Sequence, residues 1–125
     1  MVADTKAPTL VLVDDQQEFL DWAHQRLVRF GRLTVVGQAT DGEMALGLVA
    51  SLEPSPTGVL LDVEMPGIDG FETARRLRSL APQVRVILIS SHDLSAYARL
   101  AQTLGAAYLP KRKLTLDAVL DLLTA

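Results

Sequence analysis

The sequence predicts an α/β fold. Five strand–helix units follow one another, a (βα)5 chain that builds one parallel sheet with helices on both faces. Three observations lead there. Short β-branched or aliphatic runs recur at 9–13 "TLVLV", 33–36 "LTVV", 58–61 "GVLL", 84–89 "VRVILI" and, more weakly, 107–109 "AYL". Longer stretches with helical spacing separate them. The run at 84–89, aliphatic apart from Arg85, suits a strand covered on both sides, as a parallel sheet requires.

Taken in order, the first strand leads into a helix whose inner face is marked by Phe19, Ala23, Leu27 and Phe30. Gly31 follows it, where a left-handed residue commonly ends a helix. After the second strand, Asp41 precedes a helix with Met44, Ala45, Leu48 and Val49 on one face. The segment "SLEPSPTG", 51–58, ends that helix with two prolines and is the one soft connection. Asp69 precedes a third helix (Phe71, Ala74, Leu77), and Asp93 a fourth (Leu94, Tyr97, Ala98, Ala101, Leu104), which Gly105 closes. Leu116, Val119, Leu120 and Leu123 mark a fifth. Asp41, Asp69 and Asp93 can each accept from the free amides of a helix start.

The chain of 125 residues reads as a single domain, 1–125, able to bury roughly two-thirds of its unfolded surface. Hydrophobic residues at 49% against 22% charged indicate a folded chain rather than a disordered one. A net charge of −3 gives no general attraction for nucleic acid or an anionic membrane. The absence of cysteine excludes disulfides and thiolate metal sites and suits a reducing compartment. No apolar stretch is long enough for a signal peptide or a membrane span. A soluble cytoplasmic protein is the expectation.

A sheet of this kind receives ligands at the carboxyl ends of its strands. Strand one ends in Asp14-Asp15, strand three in Asp62, strand four in Ser90-Ser91, and Lys111 follows strand five. Each alone has an ordinary use: a helix cap, a strand stop before the Met-Pro-Gly turn, a strand-end hydroxyl, a solvated amine. Together they make a chemical set. Three carboxylates in one cleft repel and hold their protons more tightly unless a cation sits among them. Oxygen-only ligands suit Mg²⁺ completed by phosphate, and a lysine and hydroxyl supply donors for that phosphate. Such a set fits an aspartyl phosphate site, with a carboxylate as nucleophile.

The motifs "VDD", "ATDGEMAL", "LLDVEMPGIDGFE", "VILISS" and "GAAYLPK" together resemble the receiver domain of two-component response regulators, over essentially the whole chain. The resemblance implies a flavodoxin-like sheet of order 2-1-3-4-5. It implies Asp62 as phosphoacceptor and Mg²⁺ bound by Asp15 directly, by Asp14 through water, by Asp62 and by the Glu64 backbone carbonyl. Lys111 would add a second cation and Ser90 would donate to a phosphoryl oxygen. Ser90 and Tyr108 stand at the two switch positions, and the remodelled face would be helix four, strand five and helix five, 93–124. That face is a candidate surface for partner binding or phosphorylation-dependent dimerisation. The implied donor is a histidine kinase or histidine phosphotransfer protein, and the implied recipient a downstream protein or output domain. Self-phosphorylation and autodephosphorylation are expected, without turnover of a metabolite. Direct nucleic-acid binding and membrane association by this chain are not.

The chain also departs from the family pattern. Arg112 stands where a proline in a cis bond usually follows the lysine, so a trans Lys111–Arg112 bond is expected. Pro110 precedes the lysine, which fits the end of an edge strand. Ser91 replaces a common alanine, and Glu64 and His92 take positions whose side chains flank the attacking water. His24 lies on the first helix, away from the strand ends, and no phosphodonor role is expected of it. Arg75, Arg76 and Arg78 read as a solvated face. Ala125 falls just after the fifth helix, where a linker would begin; a stand-alone chain and an excised receiver both stay open. Two other readings compete. A Mg²⁺-dependent phosphohydrolase working through an aspartyl phosphate is opposed by Glu64, which stands where common aspartyl phosphatases carry a second aspartate. A degenerate receiver acting only as a protein-binding module is opposed by the intact Asp14, Asp15, Asp62, Ser90 and Lys111.

Overall fold

A computed structural model of the chain describes residues 7–92 and 94–124. Its elements are β1 (Thr9–Val13), α1 (Gln17–Val28), β2 (Thr34–Ala39), α2 (Gly42–Ser51), β3 (Gly58–Asp62), α3 (Gly70–Leu80), β4 (Arg85–Ser90), α4 (Ser95–Thr103), β5 (Ala107–Pro110) and α5 (Leu116–Thr124), with a 3₁₀ turn at Lys111–Lys113. The strands pair in parallel in the order β2-β1-β3-β4-β5.

Alternation along each strand divides the core in two. Leu10, Leu12, Leu60, Ile87 and Ile89 face α1 and α5, meeting Leu20, Ala23, Leu27, Val119 and Leu123. Val11, Val13, Val59, Leu61 and Leu88 face the other way, onto Ala45 and Val49 of α2 and Ala74 and Leu77 of α3. A fully buried Leu or Ile contributes about 1.5–3 kcal/mol, so the aliphatic residues of β1, β3 and β4 are the main anchor of the fold. Two predicted caps form as hydrogen bonds: Asp41 accepts from the Met44 amide and Asp69 from the Glu72 amide, both at 2.8 Å. Each is worth about 1 kcal/mol. Gly31 and Gly105 take φ of +69° and +71°, as their positions after α1 and α4 require. The Asp93 cap lies outside the described residues.

Element limits differ from the apolar runs in a consistent direction. The strands β3, β4 and β5 each run one residue farther, to Asp62, Ser90 and Pro110, because backbone pairing continues past the last apolar side chain. Strand β2 starts at Thr34 and continues to Ala39. Its pairing with β1 jumps from Leu10↔Val35 to Val11↔Gly37, leaving Val36 as an extra, partly exposed residue. The helical spacing overreaches at the helix ends. Phe30 lies beyond α1 and is 68% exposed, Leu94 precedes α4, and Met44 points outward from α2. Among the described residues Ala101 is the one buried residue of α4, so that helix buries fewer residues than any of the other four. No described helix is long and apolar enough to cross a membrane.

Two glycines test this packing. A Cβ on Gly70, the first residue of α3, would collide with the Asp62 carbonyl oxygen and approach the Val63 Cα to 2.7 Å. A Cβ on Gly47, inside α2, would meet nothing within 4 Å. Urea denaturation is expected to show Gly70→Ala losing about 1–3 kcal/mol. The same measurement should show Gly47→Ala gaining about 0.5–1 kcal/mol.

Candidate functional site

Parallel pairing in register brings the carboxyl ends of the strands to one edge. Val13 lies opposite Leu61, so the residues that follow them, Asp14 and Asp62, are neighbours across the sheet. The Asp14 amide donates to the Ala39 carbonyl at 3.1 Å, extending the ladder past β1 and pinning the side chain. Asp14 is fully buried and Asp62 nearly so, while Asp15 is exposed at the mouth. One carboxylate oxygen from each of Asp14, Asp15 and Asp62 lies within 4.8 Å of the others. Asp14 Oδ1 accepts from the Gln16 amide at 2.9 Å, which shapes the turn into α1, and no side chain caps that helix.

Lys111 enters from the end of β5. Its Nζ is 2.7 Å from Asp14 Oδ2 and 3.7 Å from Asp62 Oδ1, and it rests 4.2 Å from the centroid of the Phe19 ring. The Lys111–Arg112 bond is trans, and the amine reaches the cluster all the same. Asp14 Oδ2 and Asp62 Oδ1 are buried without an aligned hydrogen bond, and Lys111 meets them as an ion-pair partner. The Asp62 carboxyl is pushed up from 3.8 to about 7, chiefly by burial and then by the Asp14 charge; Lys111 pulls it back, Glu64 adds repulsion and the Glu64 amide donates to it. Two buried, unaligned carboxylate oxygens beside a third carboxylate form an oxygen-only donor set short of positive charge. That set fits a hard divalent cation such as Mg²⁺.

A second group of contacts surrounds Ser90, which is completely buried. Its hydroxyl lies 3.0 and 3.1 Å from the two Glu64 carboxylate oxygens and accepts from the His92 amide at 2.9 Å. The Glu64 carboxylate also accepts from the Tyr97 hydroxyl at 3.0 Å and lies 3.3 Å from His92 Nδ1. Tyr108, the other expected switch residue, donates its hydroxyl to the His92 carbonyl at 2.9 Å.

The five strand-end residues Asp14, Asp15, Asp62, Ser90 and Lys111 therefore gather at one edge, but Ser90 turns to Glu64. The sequence motif assigns Glu64 a backbone carbonyl on the metal and a side chain beside the attacking water, but does not reveal its contact with Ser90, nor that Phe19 and Tyr97 belong to the site. Both aromatics sit in the first turn of a helix, and in a βα unit that turn abuts the carboxyl end of the sheet. This placement was the available signal. His24 pairs with Gln38 and is not among the acidic residues of the cluster. Arg75 and Arg76 pair with Glu72, Arg76 also reaches Glu43, and the Arg78 guanidinium covers Gly105. An open cleft lined by Asp15, Glu64, Met65, Pro66, Phe71 and Tyr97 leads to the acidic cluster.

The family model for the response regulator receiver domain matches residues 10–122. The transcriptional regulatory protein NarL of Mycobacterium tuberculosis is 40% identical over 98 residues, covering 78% of this chain and 44% of that protein. The response regulator GacA of Pseudomonas aeruginosa is 35% identical over 103 residues, 82% of this chain and 47% of that protein. The solved signal receiver domain of the M. tuberculosis NarL superposes with a TM-score of 0.88 at 35% identity, over 97% of this chain and 99% of that one. The chain thus spans about half the length of the curated relatives it matches.

The raised Asp62 value has a consequence for stability. A carboxyl that titrates near 3.8 when unfolded and near 7 when folded binds more protons in the folded state between those values. Its contribution therefore weakens folding as pH rises from about 4 to about 7, by up to about 4 kcal/mol. Denaturation without divalent cations across that window should show this slope in the wild type and a much flatter one in Asp62→Asn. Equal slopes in the two proteins would contradict the burial assigned to Asp62.

Proposed function

Because the chain belongs to the response regulator receiver family, we propose that it accepts a phosphoryl group on Asp62 and passes the signal on through its α4–β5–α5 face. The observation that carries this reading is the cluster itself. Three carboxylates lie within 4.8 Å, two of their oxygens are buried without aligned donors, and one ammonium approaches both.

Asp62 Oδ1 is the nucleophile: it bonds to phosphorus as the donor's phosphorus–nitrogen bond breaks, and the donor imidazole leaves with the electron pair and takes up a proton. Its buried position excludes bulk water, and Lys111, itself paired with Asp14, draws it to the sheet edge. Asp14, Asp15, Asp62 and the Glu64 backbone carbonyl would hold Mg²⁺. When bound, Mg²⁺ supplies the concentrated positive charge that lets one anion approach another. Lys111 stands 3.7 Å from the attacking oxygen and offers its donors to the incoming phosphoryl group. Ser90 offers a hydroxyl that can turn toward the phosphoryl oxygens, and Tyr108 links strand β5 to the loop that must move with it.

Receiver domains work between histidine kinases and output domains, and relatives of this chain are transcription regulators. A histidine kinase or histidine phosphotransfer protein is accordingly the proposed donor, with a downstream protein or output domain as recipient. The chain is proposed to modify only itself. The hydrolase and pure binding-module readings have no observation in their favour that the receiver reading lacks.

Incubation with Mg²⁺ and a small acyl phosphate is expected to place an alkali-labile, hydroxylamine-sensitive phosphate on the wild type, detected by intact mass. Asp62→Asn should abolish it, and Lys111→Ala should slow it at least about tenfold. Labelling that persists in Asp62→Asn, or continuous phosphate release from a metabolite, would refute the assignment. Mg²⁺ should also raise the melting temperature of the wild type and leave a protein lacking the Asp14 and Asp62 carboxylates unmoved.

A further inference from the structure

We propose that the Glu64 side chain is an internal competitor for the Ser90 hydroxyl, an autoinhibitory contact that holds the unphosphorylated switch in place. The proposal rests on Asp62 being the phosphoacceptor. A serine hydroxyl has a single proton to give. Here that proton faces a carboxylate whose two oxygens stand at 3.0 and 3.1 Å, and the Ser90 oxygen already accepts from the His92 amide. A phosphoryl oxygen on Asp62 needs the same proton. The two anions compete for one proton. Engagement of Ser90 by the phosphoryl group therefore requires Glu64 to let go.

Release has structural consequences because Glu64 holds more than Ser90. Its carboxylate accepts from Tyr97 in the first turn of α4 and lies beside His92 in the loop before that helix. The Tyr97 ring meets Phe71 at 5.3 Å and Tyr108 at 6.3 Å, and Tyr108 in turn holds the His92 carbonyl. One carboxylate thus ties the β3–α3 loop to the end of β4 and to α4. Among the described residues, helix α4 buries a single one, Ala101, and beside it only the partly buried Tyr97 and the cap residue Leu104 pack on the core. The Glu64 side chain is 39% exposed and has open solvent to swing into. The contact is thus strong enough to bias the switch and accessible enough to be broken.

Beryllofluoride with Mg²⁺, a mimic of the phosphoryl group on aspartate, is the probe. Binding is measured by amide NMR for the wild type, Glu64→Ala, Ser90→Ala and the double variant. Competition for a charge-assisted hydrogen bond predicts that Glu64→Ala lowers the apparent Kd about tenfold when Ser90 is present. In the Ser90→Ala background the same substitution should change it less than about twofold. An equal gain in both backgrounds would mean plain repulsion between charges and would overturn the proposal, as would no gain at all. In ligand-free protein, amides at the start of α4 should exchange about tenfold faster in Glu64→Ala; unchanged exchange also overturns it. Wild-type protein that ignores beryllofluoride while the exchange effect holds would sink the phosphoacceptor reading and leave the contact itself supported.

Discussion

One ammonium group set against two buried carboxylates is the constraint on which the rest of this molecule depends. Burying Asp14 and Asp62 side by side costs free energy that hydrophobic packing at the strand ends cannot recover. Lys111 offsets part of that cost, and Phe19 seats the lysine with a ring face at 4.2 Å. The two carboxylate oxygens that face the amine still lack aligned donors. A site left short of positive charge in this way is a sacrifice of stability of the kind found at functional sites.

The sheet supplies the rigidity this demands. Strands β1, β3 and β4 are buried on both faces, so their ends are fixed in relation to each other. The functional side chains stand one residue beyond, or on the last residue of, these strands, where direction is inherited from the ladder. The helices are unequal partners. Helices α1 and α5 press on one face through large aliphatic side chains, while α4 buries only Ala101 and adds the partly buried Tyr97 and polar contacts at its first turn. A change at Asp62 therefore meets a stiff sheet below it and a sparsely buried helix beside it. Movement goes where the resistance is least.

Ser90, Glu64, Tyr97, His92 and Tyr108 join those two regions through hydrogen bonds and ring contacts. Each partner has limited bonding capacity, so a new anion at Asp62 cannot be added without redistributing the old bonds. Under the proposed phosphorylation of Asp62, these contacts would be the physical route from one side chain to a surface formed by α4, β5 and α5.

Much of this was legible from the chain alone. The period of the apolar residues and the alternation of short and long segments determined the (βα)5 architecture, because a parallel strand needs a crossover and a buried strand needs aliphatic side chains. The Asp41 and Asp69 caps and Gly31 and Gly105 followed from local backbone needs. Asp14, Asp15, Asp62 and Lys111 could be placed at one edge because each directly follows or ends a strand. Phe30, Met44 and Leu94 misled, since helical spacing says which residues share a face but not where the helix stops or which faces find a neighbour. Only the tertiary structure decided that Ser90 turns to Glu64, that Tyr97 joins it, and that Phe19 lies under Lys111. Those contacts link residues 26, 33 and 92 positions apart or are set by rotamers, and a rotamer is chosen by the packed neighbours rather than by the residues adjacent in sequence.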